Sequence, residues 1–253
     1  MTLTLHHAPD FASTIVRLAL EELQLPHTLA LADIDGGALS SPDYRRVNPV
    51  GLIPALETDD GPIFETAAIL LWLVDKTGRL GPGPTDPDRG AFLSWLFFTS
   101  NALHQAALAM FYPHRPAGEA NSDAARAAAH DQIIARLGLI ETLIATQSPR
   151  WLSPDHPSVL GYYIGILTRW LILLPPAPYG IDLAQFPHLH TVLAAHESRP
   201  AAQRVAADEG LGAKPFTQPG VRCFFPSSTC SRWASARPHR TPWARWSPPR
   251  GSL

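Results

Sequence analysis

Cysteine is nearly absent from this sequence. Only two of its 253 residues are cysteines, Cys223 and Cys230, so the first 222 residues contain no thiol. This absence excludes a disulfide scaffold, a cysteine nucleophile and a Cys-x-x-Cys redox motif from that part of the chain. The chemistry of the folded part must therefore use other side chains.

The chain also lacks a strong net charge and a long apolar run. Its formal net charge is -2 and its sequence pI is about 6.6, so neither nucleic acid nor an anionic membrane is the expected partner. No apolar stretch reaches the roughly 18 residues that span a bilayer, and the N-terminus has no signal-peptide pattern. Because 45% of the residues are apolar, the core is ample. We expect a soluble, cytoplasmic protein with one large or two ordinary domains.

The most informative stretch runs from Asn48 to Leu73. A loop punctuated by glycine and proline leads into a short apolar strand that begins at Pro54. The acidic turn around Gly61 reverses the chain, and the pair Glu65-Thr66 then opens an apolar helix. The pattern predicts strand, turn, strand and helix in that order.

The residues before this stretch predict two parallel strands joined by a helix. Leu3–His7 alternates as a strand does, a helix follows over about Ser13–Gln24, and Thr28–Ile34 reads as the second strand. The charged side chains of this helix are expected to remain in water: Arg17, Glu21 and Glu22. Together with the later strands and helix, this order is thioredoxin-like.

A change of pattern divides the chain near Gly78–Pro87, where glycine and proline are dense. We predict a thioredoxin-like α/β domain over residues 1–78, a linker over 79–87 and an all-α domain over 88–213. The predicted helices of the second domain span Arg89–Tyr112, Asp123–Thr146, Ser158–Leu174, Phe186–His196 and Pro200–Asp208. The third of these is apolar all round, so it should lie at the domain centre.

Residues 214–253 form an atypical basic tail. From Pro215 onward the sequence has six arginines, three tryptophans, no acidic residue and no apolar periodicity. Such a composition cannot offset the entropy of ordering, so we expect disorder. Two interpretations remain open: a non-functional extension, such as the product of a shifted reading frame, and a basic aromatic arm that stacks on nucleic acid.

The run Asn48-Pro49-Val50-Gly51-Leu52-Ile53-Pro54-Ala55-Leu56, followed by Glu65-Thr66, resembles the signature of the glutathione S-transferase family. The resemblance covers about residues 3–213. It implies a thioredoxin-like domain, an all-helical domain, glutathione as co-substrate in the cleft between them, and a homodimer. Among the classes of the family, the chain is similar to bacterial serine-type or beta-like members.

The resemblance implies a role for the bond between Ile53 and Pro54. A proline bond can adopt cis at low cost, and a cis bond here would turn the N–H and C=O of Ile53 outward to pair with an extended peptide. In the resembled family that peptide is the cysteinyl backbone of glutathione. An ordinary trans proline at the start of an edge strand is the alternative.

The pair Glu65-Thr66 is expected to bind the γ-glutamyl end of glutathione. A helix start offers unpaired N–H groups and a positive dipole end, which suit a carboxylate. By resemblance, the hydroxyl and N–H of Thr66 take the carboxylate, and Glu65 takes the ammonium group. Simple capping of the helix is the alternative for Thr66.

The group that activates the thiol is predicted from the start of the first helix. By resemblance, Ala12 occupies the position of the beta-class cysteine, and Ser13 falls on the neighbouring serine. We predict Ser13 as the catalytic hydrogen-bond donor to the thiolate, with an N-cap as the alternative. His104, on the long helix after the linker, is predicted to contact glutathione or the second substrate, unless it is simply packed.

A metal site is not expected. The histidine pairs, His6 with His7 and His188 with His190, have no third ligand at a convincing spacing. The aromatic residues of the long helix are candidates for a second-substrate pocket, although each of them is also suited to the core: Phe97, Phe98, Phe111 and Tyr112.

The resemblance implies conjugation of the glutathione thiolate to an apolar electrophile, as in detoxification. The alternatives are a glutathione-dependent lyase, isomerase or peroxidase on the same fold, and a non-catalytic glutathione-fold binding module. One departure from the family concerns stability. Gly161 stands where a capping box would carry an acid opposite Ser158, so Gly161→Asp is expected to stabilise the helix.

Overall fold

The fold is taken from a computed structural model that describes residues 2–34, 36–174 and 178–220. Four strands form one sheet in the order β2-β1-β3-β4: Thr4–His7 (β1), Thr28–Leu31 (β2), Ala55–Thr58 (β3) and Gly61–Phe64 (β4). Strands β1 and β2 are parallel, whereas β3 is antiparallel to both of its neighbours. The predicted succession of strands along the chain and the parallel pairing of the first two are therefore confirmed, although β2 ends three residues earlier than the pattern indicates.

The register of the sheet brings three chain segments to one edge. His6 pairs with Ala55, and Ala55 pairs with Phe64. These three residues lie at the carboxyl end of β1, the amino end of β3 and the carboxyl end of β4. The loop after β1, the segment before β3 and the start of the helix after β4 must therefore meet at this edge.

The helices divide into two groups. The α/β part contains Ala12–Leu23 (α1), Pro42–Val47 (α2) and Thr66–Thr77 (α3). The helical part contains Arg89–Phe98 (α4), Gln105–Phe111 (α5), His114–Ala117 (α6), Ser122–Gln147 (α7), Val159–Ile172 (α8), Pro187–Glu197 (α9) and Pro200–Glu209 (α10). An α/β part followed by a helical part is the architecture that the sequence predicts. No helix among the described residues is both long and apolar enough to cross a membrane.

Helix α1 lies between the two parts of the molecule. It packs against β1 and α3 on one side and against α8 and α10 on the other. The expectation that Arg17 stays in water is wrong, because its side chain is buried and its guanidinium bonds to Asp208 and Glu209 of α10. Glu22 is half-buried and accepts two hydrogen bonds from Arg199, at 2.6 and 3.0 Å. The periodicity of one helix does not reveal that a second helical layer covers its charged face.

The long helix after the linker is not uniform. Between α4 and α5, Thr99–His104 is wound as a π-helix, which holds more residues per turn than an α-helix. This π segment packs against α8, the apolar helix at the centre of the helical part. Single-turn π segments are frequent at functional sites, so its contacts with α8 are of interest for the site.

The start of the predicted tail belongs to the fold. Phe216 is fully buried in the core, and the main-chain N–H groups of Phe216 and Thr217 donate to Glu197 at 2.8 and 2.9 Å. The expectation of disorder from residue 214 is therefore wrong for residues 214–220. Composition failed here because one apolar anchor and one buried carboxylate suffice to dock a short segment. The remainder of the predicted tail, 221–253, lies outside the described residues.

The packing around position 161 leaves no room for a side chain, which explains why a glycine stands where a capping box would have an acid. The Ser158 hydroxyl caps α8 by accepting the Gly161 N–H at 3.0 Å, so half of the capping box is present. A Cβ on Gly161 would lie 2.4 Å from two ring atoms of His196. His196 is itself fully buried and its Nε2 lies 3.0 Å from the Ser153 carbonyl oxygen. The expectation that Gly161→Asp stabilises the helix is therefore wrong.

We predict that Gly161→Ala lowers the free energy of unfolding by about 1–3 kcal/mol, because the added methyl group displaces a buried imidazole. The matched control is Gly138→Ala in α7, where an added Cβ meets no heavy atom within 4 Å. This control should gain about 1 kcal/mol from helix propensity. Denaturant unfolding of both variants makes the comparison, and equal stabilisation by the two substitutions would contradict the prediction.

We also predict a pH-dependent contribution from Glu22. Burial alone would raise the pKa of Glu22, but hydrogen bonds from Arg199 and Tyr162 outweigh burial and lower that pKa. A carboxyl whose pKa falls on folding stabilises the folded state above its unfolded pKa, near 4.5, and this contribution is lost as the pH falls through the lowered value. Glu22→Gln should therefore cost about 2 kcal/mol at neutral pH and much less in acid.

Thermal unfolding of Glu22→Gln and the wild type from pH 7 down to pH 3 measures this difference. The control is Glu119→Gln, which alters an exposed carboxylate. A difference between Glu22→Gln and wild type that stays constant with pH would show that the ion pair does not stabilise the fold through the charge of Glu22.

Candidate functional site

The candidate site begins at the Ile53-Pro54 bond, which is cis as predicted. The carbonyl oxygen of Leu52, just before this bond, accepts two hydrogen bonds, from the Tyr44 hydroxyl at 2.6 Å and from the Asn48 side chain at 2.7 Å. Burial raises the pKa of Tyr44, so its hydroxyl stays protonated and remains a donor. Helix α2 and its C-cap residue therefore fix the peptide that presents the main chain of Ile53.

Glycine is required at position 51 of this loop. Gly51 has a φ of +73°, and a Cβ there would lie 2.9 Å from the Leu39 carbonyl oxygen. Both the left-handed backbone and the close approach exclude a larger residue. The side-chain oxygen of Asn48 accepts the Val50 N–H at 3.0 Å and completes the turn. The motif thus holds its shape through local bonds, which explains why the sequence could reveal it.

The start of helix α3 forms the second part of the site. Glu65 is exposed and has a φ of +74°, a conformation that non-glycine residues adopt at a cost and that clusters at functional sites. Thr66 follows as the first helical residue and is buried, and no side chain caps the helix. The first N–H groups of α3 and its positive dipole end are therefore open to an anion.

The helical part contributes a polar cluster centred on Tyr163. Its hydroxyl lies 2.8 Å from Nδ1 of His104, and the side chains of Ser100 and Thr66 are close enough to influence its pKa. Burial raises the pKa of Tyr163, although Ser100 and Thr66 act in the opposite direction. Tyr163 thus joins the π segment to the start of α3, and it brings His104 to the same cleft as Thr66.

His104 is neutral in this environment. Burial lowers the pKa of His104 to about 4, because the charged imidazolium would lose its hydration. Its ring also packs edge-on against Tyr163 and near Trp170. His104 can therefore offer a hydrogen bond at neutral pH, but it cannot offer a positive charge to a thiolate.

The structure does not support Ser13 as the thiol donor. Ser13 is fully buried, and its hydroxyl donates to the Ala8 carbonyl at 3.0 Å while it accepts the Ala8 N–H at 3.1 Å. Both bonds tie α1 to the loop that precedes it. Ser13 is also inside the helix rather than at its N-cap, which is Phe11. The sequence could not indicate this, because the direction of the hydroxyl depends on the path of the preceding loop.

The N-terminus of α1 is nevertheless suited to an anion. No side chain caps this helix, and its first turn contains no acidic residue. The main-chain N–H groups of Ala12 and Ser13 therefore stand at the positive end of the helix dipole, and the nearby Glu209 carboxylate bonds to the Asp10 N–H and the Thr14 hydroxyl instead. This helix start belongs to the loop that meets Ile53 and Thr66 at the edge of the sheet.

Two residues near the site were not predicted from the sequence. Tyr163 and Arg169 are polar groups within the apolar helix α8, and both are buried. Arg169 bonds to both carboxylate oxygens of Asp10 at 2.9 Å, and Asp10 lies in the loop before α1. The available signal was a single charged residue in an otherwise uncharged helix, since a buried charge requires a partner. Nothing in the sequence identified Asp10 as that partner.

The aromatic residues proposed for a second pocket have different surroundings. Phe97 is exposed, whereas Phe98 packs edge-on against Trp95 with ring centroids 5.2 Å apart. Phe111 is half-buried, and the Arg115 guanidinium lies 3.7 Å from the centre of the Tyr112 ring. One face of Tyr112 is therefore covered by a cation rather than by apolar atoms.

The histidine pairs considered for metal have other partners. His6 Nε2 lies 2.8 Å from a carboxylate oxygen of Glu57, and His188 Nδ1 lies 2.6 Å from Glu141. Within residues 2–34, 36–174 and 178–220, no group of three or more histidine, cysteine or acidic side chains is arranged to hold a metal ion.

Comparison with known sequences gives a consistent family. Residues 12–76 match the model of the glutathione S-transferase N-terminal domain. The chain is 28% identical over 171 residues to glutathione S-transferase GST-4.5 of Xanthomonas campestris pv. campestris, which covers 66% of this chain and 81% of that protein. It is 35% identical over 107 residues to the disulfide-bond oxidoreductase YfcG of Escherichia coli, covering 39% and 49% of the two chains.

Comparison with solved structures extends the likeness to the helical part. A glutathione transferase homologue from Sulfitobacter, crystallised with bound glutathione, superposes with a TM-score of 0.68 at 26% sequence identity. The match covers 83% of this chain and 98% of the other, so it includes both parts of the fold. Fold, site motif and relatives agree: the chain has the glutathione S-transferase fold and matches the N-terminal domain of that family over residues 12–76.

Proposed function

We propose that this protein is a glutathione transferase that joins the thiolate of glutathione to an electrophilic carbon of an apolar compound. One observation carries the proposal. A single edge of the sheet brings together a peptide-binding segment at Ile53-Pro54, an uncapped helix start at Thr66 and an uncapped helix start at Ala12. These three features suit the backbone, the γ-glutamyl end and the thiol of one tripeptide.

Glutathione would lie along this edge as an added strand. The N–H and C=O of Ile53 would pair with the cysteinyl backbone. The γ-glutamyl carboxylate would accept from the N–H groups at the start of α3 and from Thr66, and its ammonium group would face the exposed carboxylate of Glu65. His104 and Tyr163 border Thr66, so they would complete the wall on the side of the helical part.

The thiol would be activated by the helix rather than by a side-chain hydroxyl. The positive end of α1 favours the anion, so the thiol proton is released to solvent and the thiolate remains. The sulfur lone pair then forms the S–C bond as the bond to the leaving group breaks, and the leaving group departs with those electrons. The main-chain N–H groups of Ala12 and Ser13 replace the Ser13 hydroxyl in this role.

A second candidate is a glutathione-dependent disulfide reductase. It is favoured by the similarity to the disulfide-bond oxidoreductase YfcG, and by the Ser13 hydroxyl, which donates to the Ala8 carbonyl rather than toward a bound thiol. The first 222 residues contain no cysteine, so glutathione itself would have to attack the substrate disulfide. The same binding edge would serve both reactions.

The wider context of the proposal follows the family. We propose residues 1–78 as the glutathione-binding domain and 79–87 as the linker, followed by the helical domain. A homodimer in the cytoplasm with a role in detoxification is part of the proposal. The exposed apolar side chains Val50, Leu52 and Phe97 are available for a subunit interface or for an apolar substrate.

Glutathione binding and turnover test the proposed function directly. We expect calorimetric titration to detect binding of glutathione to the protein. We also expect turnover of an activated aryl halide that depends on glutathione. A mixed disulfide of glutathione and mercaptoethanol is the parallel substrate. Turnover of the mixed disulfide without turnover of the aryl halide would favour the reductase function over conjugation. Failure to bind glutathione would overturn both functions.

Paired substitutions test the division of roles at the site. Thr66→Val should raise KM for glutathione by about tenfold, since it removes one hydrogen bond to a charged group. Ser13→Ala should leave kcat/KM within about twofold and should lower the melting temperature, because it leaves the Ala8 N–H unpaired in the interior. A tenfold loss of kcat/KM in Ser13→Ala would instead show that the Ser13 hydroxyl is the donor to the thiol.

A further inference from the structure

Arg169 joins two segments that are far apart in the chain. Its side chain is fully buried in α8, and its Nε and Nη2 donate to the two carboxylate oxygens of Asp10, each at 2.9 Å. The indole N–H of Trp170 donates to the same carboxylate at 3.0 Å. This bidentate, charge-assisted pair links the helical part to the loop before α1.

The other donors of Arg169 bond to main-chain carbonyls near the C-terminal end of the described chain. Nη1 donates to Leu211 at 2.8 Å and to Pro215 at 3.4 Å, and Nη2 donates to Gly220 at 3.2 Å. We call residues 211–220 the C-terminal segment. A single guanidinium therefore contacts the loop on one side and this segment on the other.

The C-terminal segment is anchored independently of Arg169. The Phe216 ring fills the space beside Gly165, where a Cβ would lie 3.0 Å from the ring, and it also packs against Tyr162. Glu197 accepts hydrogen bonds from the main-chain N–H groups of Phe216 and Thr217. The segment is thus held firmly enough to fix the position of the guanidinium.

The loop before α1 depends on such external contacts. Asp10 has a φ of +62°, which is unfavourable for a residue other than glycine. Its N–H donates at 2.9 Å to Glu209, which also accepts the Thr14 hydroxyl at 2.7 Å. The bonds to Asp10 that span the two parts of the fold come from Arg169, Trp170 and Glu209, all in the helical part.

We propose that Arg169 is a positioning residue for the thiol site, and that the C-terminal segment is the part of the chain that keeps it in place. The consequence for glutathione rests on the proposed function, because it assumes that the thiol lies at the start of α1. The expected change in the loop before α1 does not depend on the proposed function. Without the carbonyls of Pro215 and Gly220, the guanidinium keeps only the Leu211 carbonyl of this segment as an acceptor, and a buried charge that is partly unpaired shifts toward water. Asp10 then loses the contact that holds its unfavourable backbone conformation.

Truncation separates the C-terminal segment from the residues beyond it. A chain that ends at residue 222 retains all the carbonyls of the described residues to which Arg169 donates, whereas a chain that ends at residue 214 loses those of Pro215 and Gly220. Amide hydrogen exchange of residues 8–14 is the readout. We expect the chain ending at 222 to match the full chain, and the chain ending at 214 to exchange about tenfold faster in this loop.

Two further variants keep the test decisive. Leu137→Ala removes a fully buried side chain of a different helix, α7, so it controls for a general loss of stability. Arg169→Lys retains the full chain and the positive charge but loses the bidentate geometry, so it should also speed exchange of residues 8–14. If neither the chain ending at 214 nor Arg169→Lys exchanges faster in this loop than Leu137→Ala does, the proposal is overturned.

Glutathione affinity adds the functional readout. If the proposal holds, Arg169→Lys should raise the Kd for glutathione by about tenfold, whereas Leu137→Ala should leave this Kd unchanged. A wild-type chain that binds no glutathione would overturn the proposed function, while the exchange measurement would still decide whether the segment orders the loop. Faster loop exchange with unchanged glutathione affinity would overturn the link to the thiol site.

Discussion

The structure depends on the burial of helix α1 between the sheet and the helical part. A helix in this position cannot leave its charged residues in water, and buried charges are tolerated only when they are paired. The pairs of α1 and its preceding loop, Arg17 with Glu209, Glu22 with Arg199 and Asp10 with Arg169, all reach into the helical part. The α/β part therefore reaches its final shape only with the helical part in contact.

The features that could be predicted from sequence are those whose causes are local. The loop before β3 is shaped by Gly51, by the side chain of Asn48 and by the proline that follows Ile53, and all of them lie within seven residues of one another. Strand order and helix order follow from periodicity and from the lengths of the connections. For that reason the architecture, the cis bond and the helix start at Thr66 were all within reach of the sequence.

The features that could not be predicted depend on what packs against them. The Ser13 hydroxyl turns into the preceding loop, Gly161 accommodates an imidazole from α9, and Phe216 finds a space beside Gly165. Each of these facts concerns two segments that are distant in sequence, and composition or spacing carries no information about such pairs. The start of the site was therefore predictable, whereas the direction of the Ser13 hydroxyl was not.

The π segment fixes the rotation of α5 about the helix axis relative to α4. Each added residue rotates the following helix by about 100°, so the extra residue at Thr99–His104 determines which face of α5 turns toward the cleft. Loss of one residue from this turn would rotate His104 away from Tyr163 and would rotate Phe111 with it. The contact of His104 with Tyr163 and the orientation of Phe111 are therefore coupled through the turn of this helix. A change of helix length therefore leaves the contact between His104 and Tyr163 intact only if it lies beyond the end of α5.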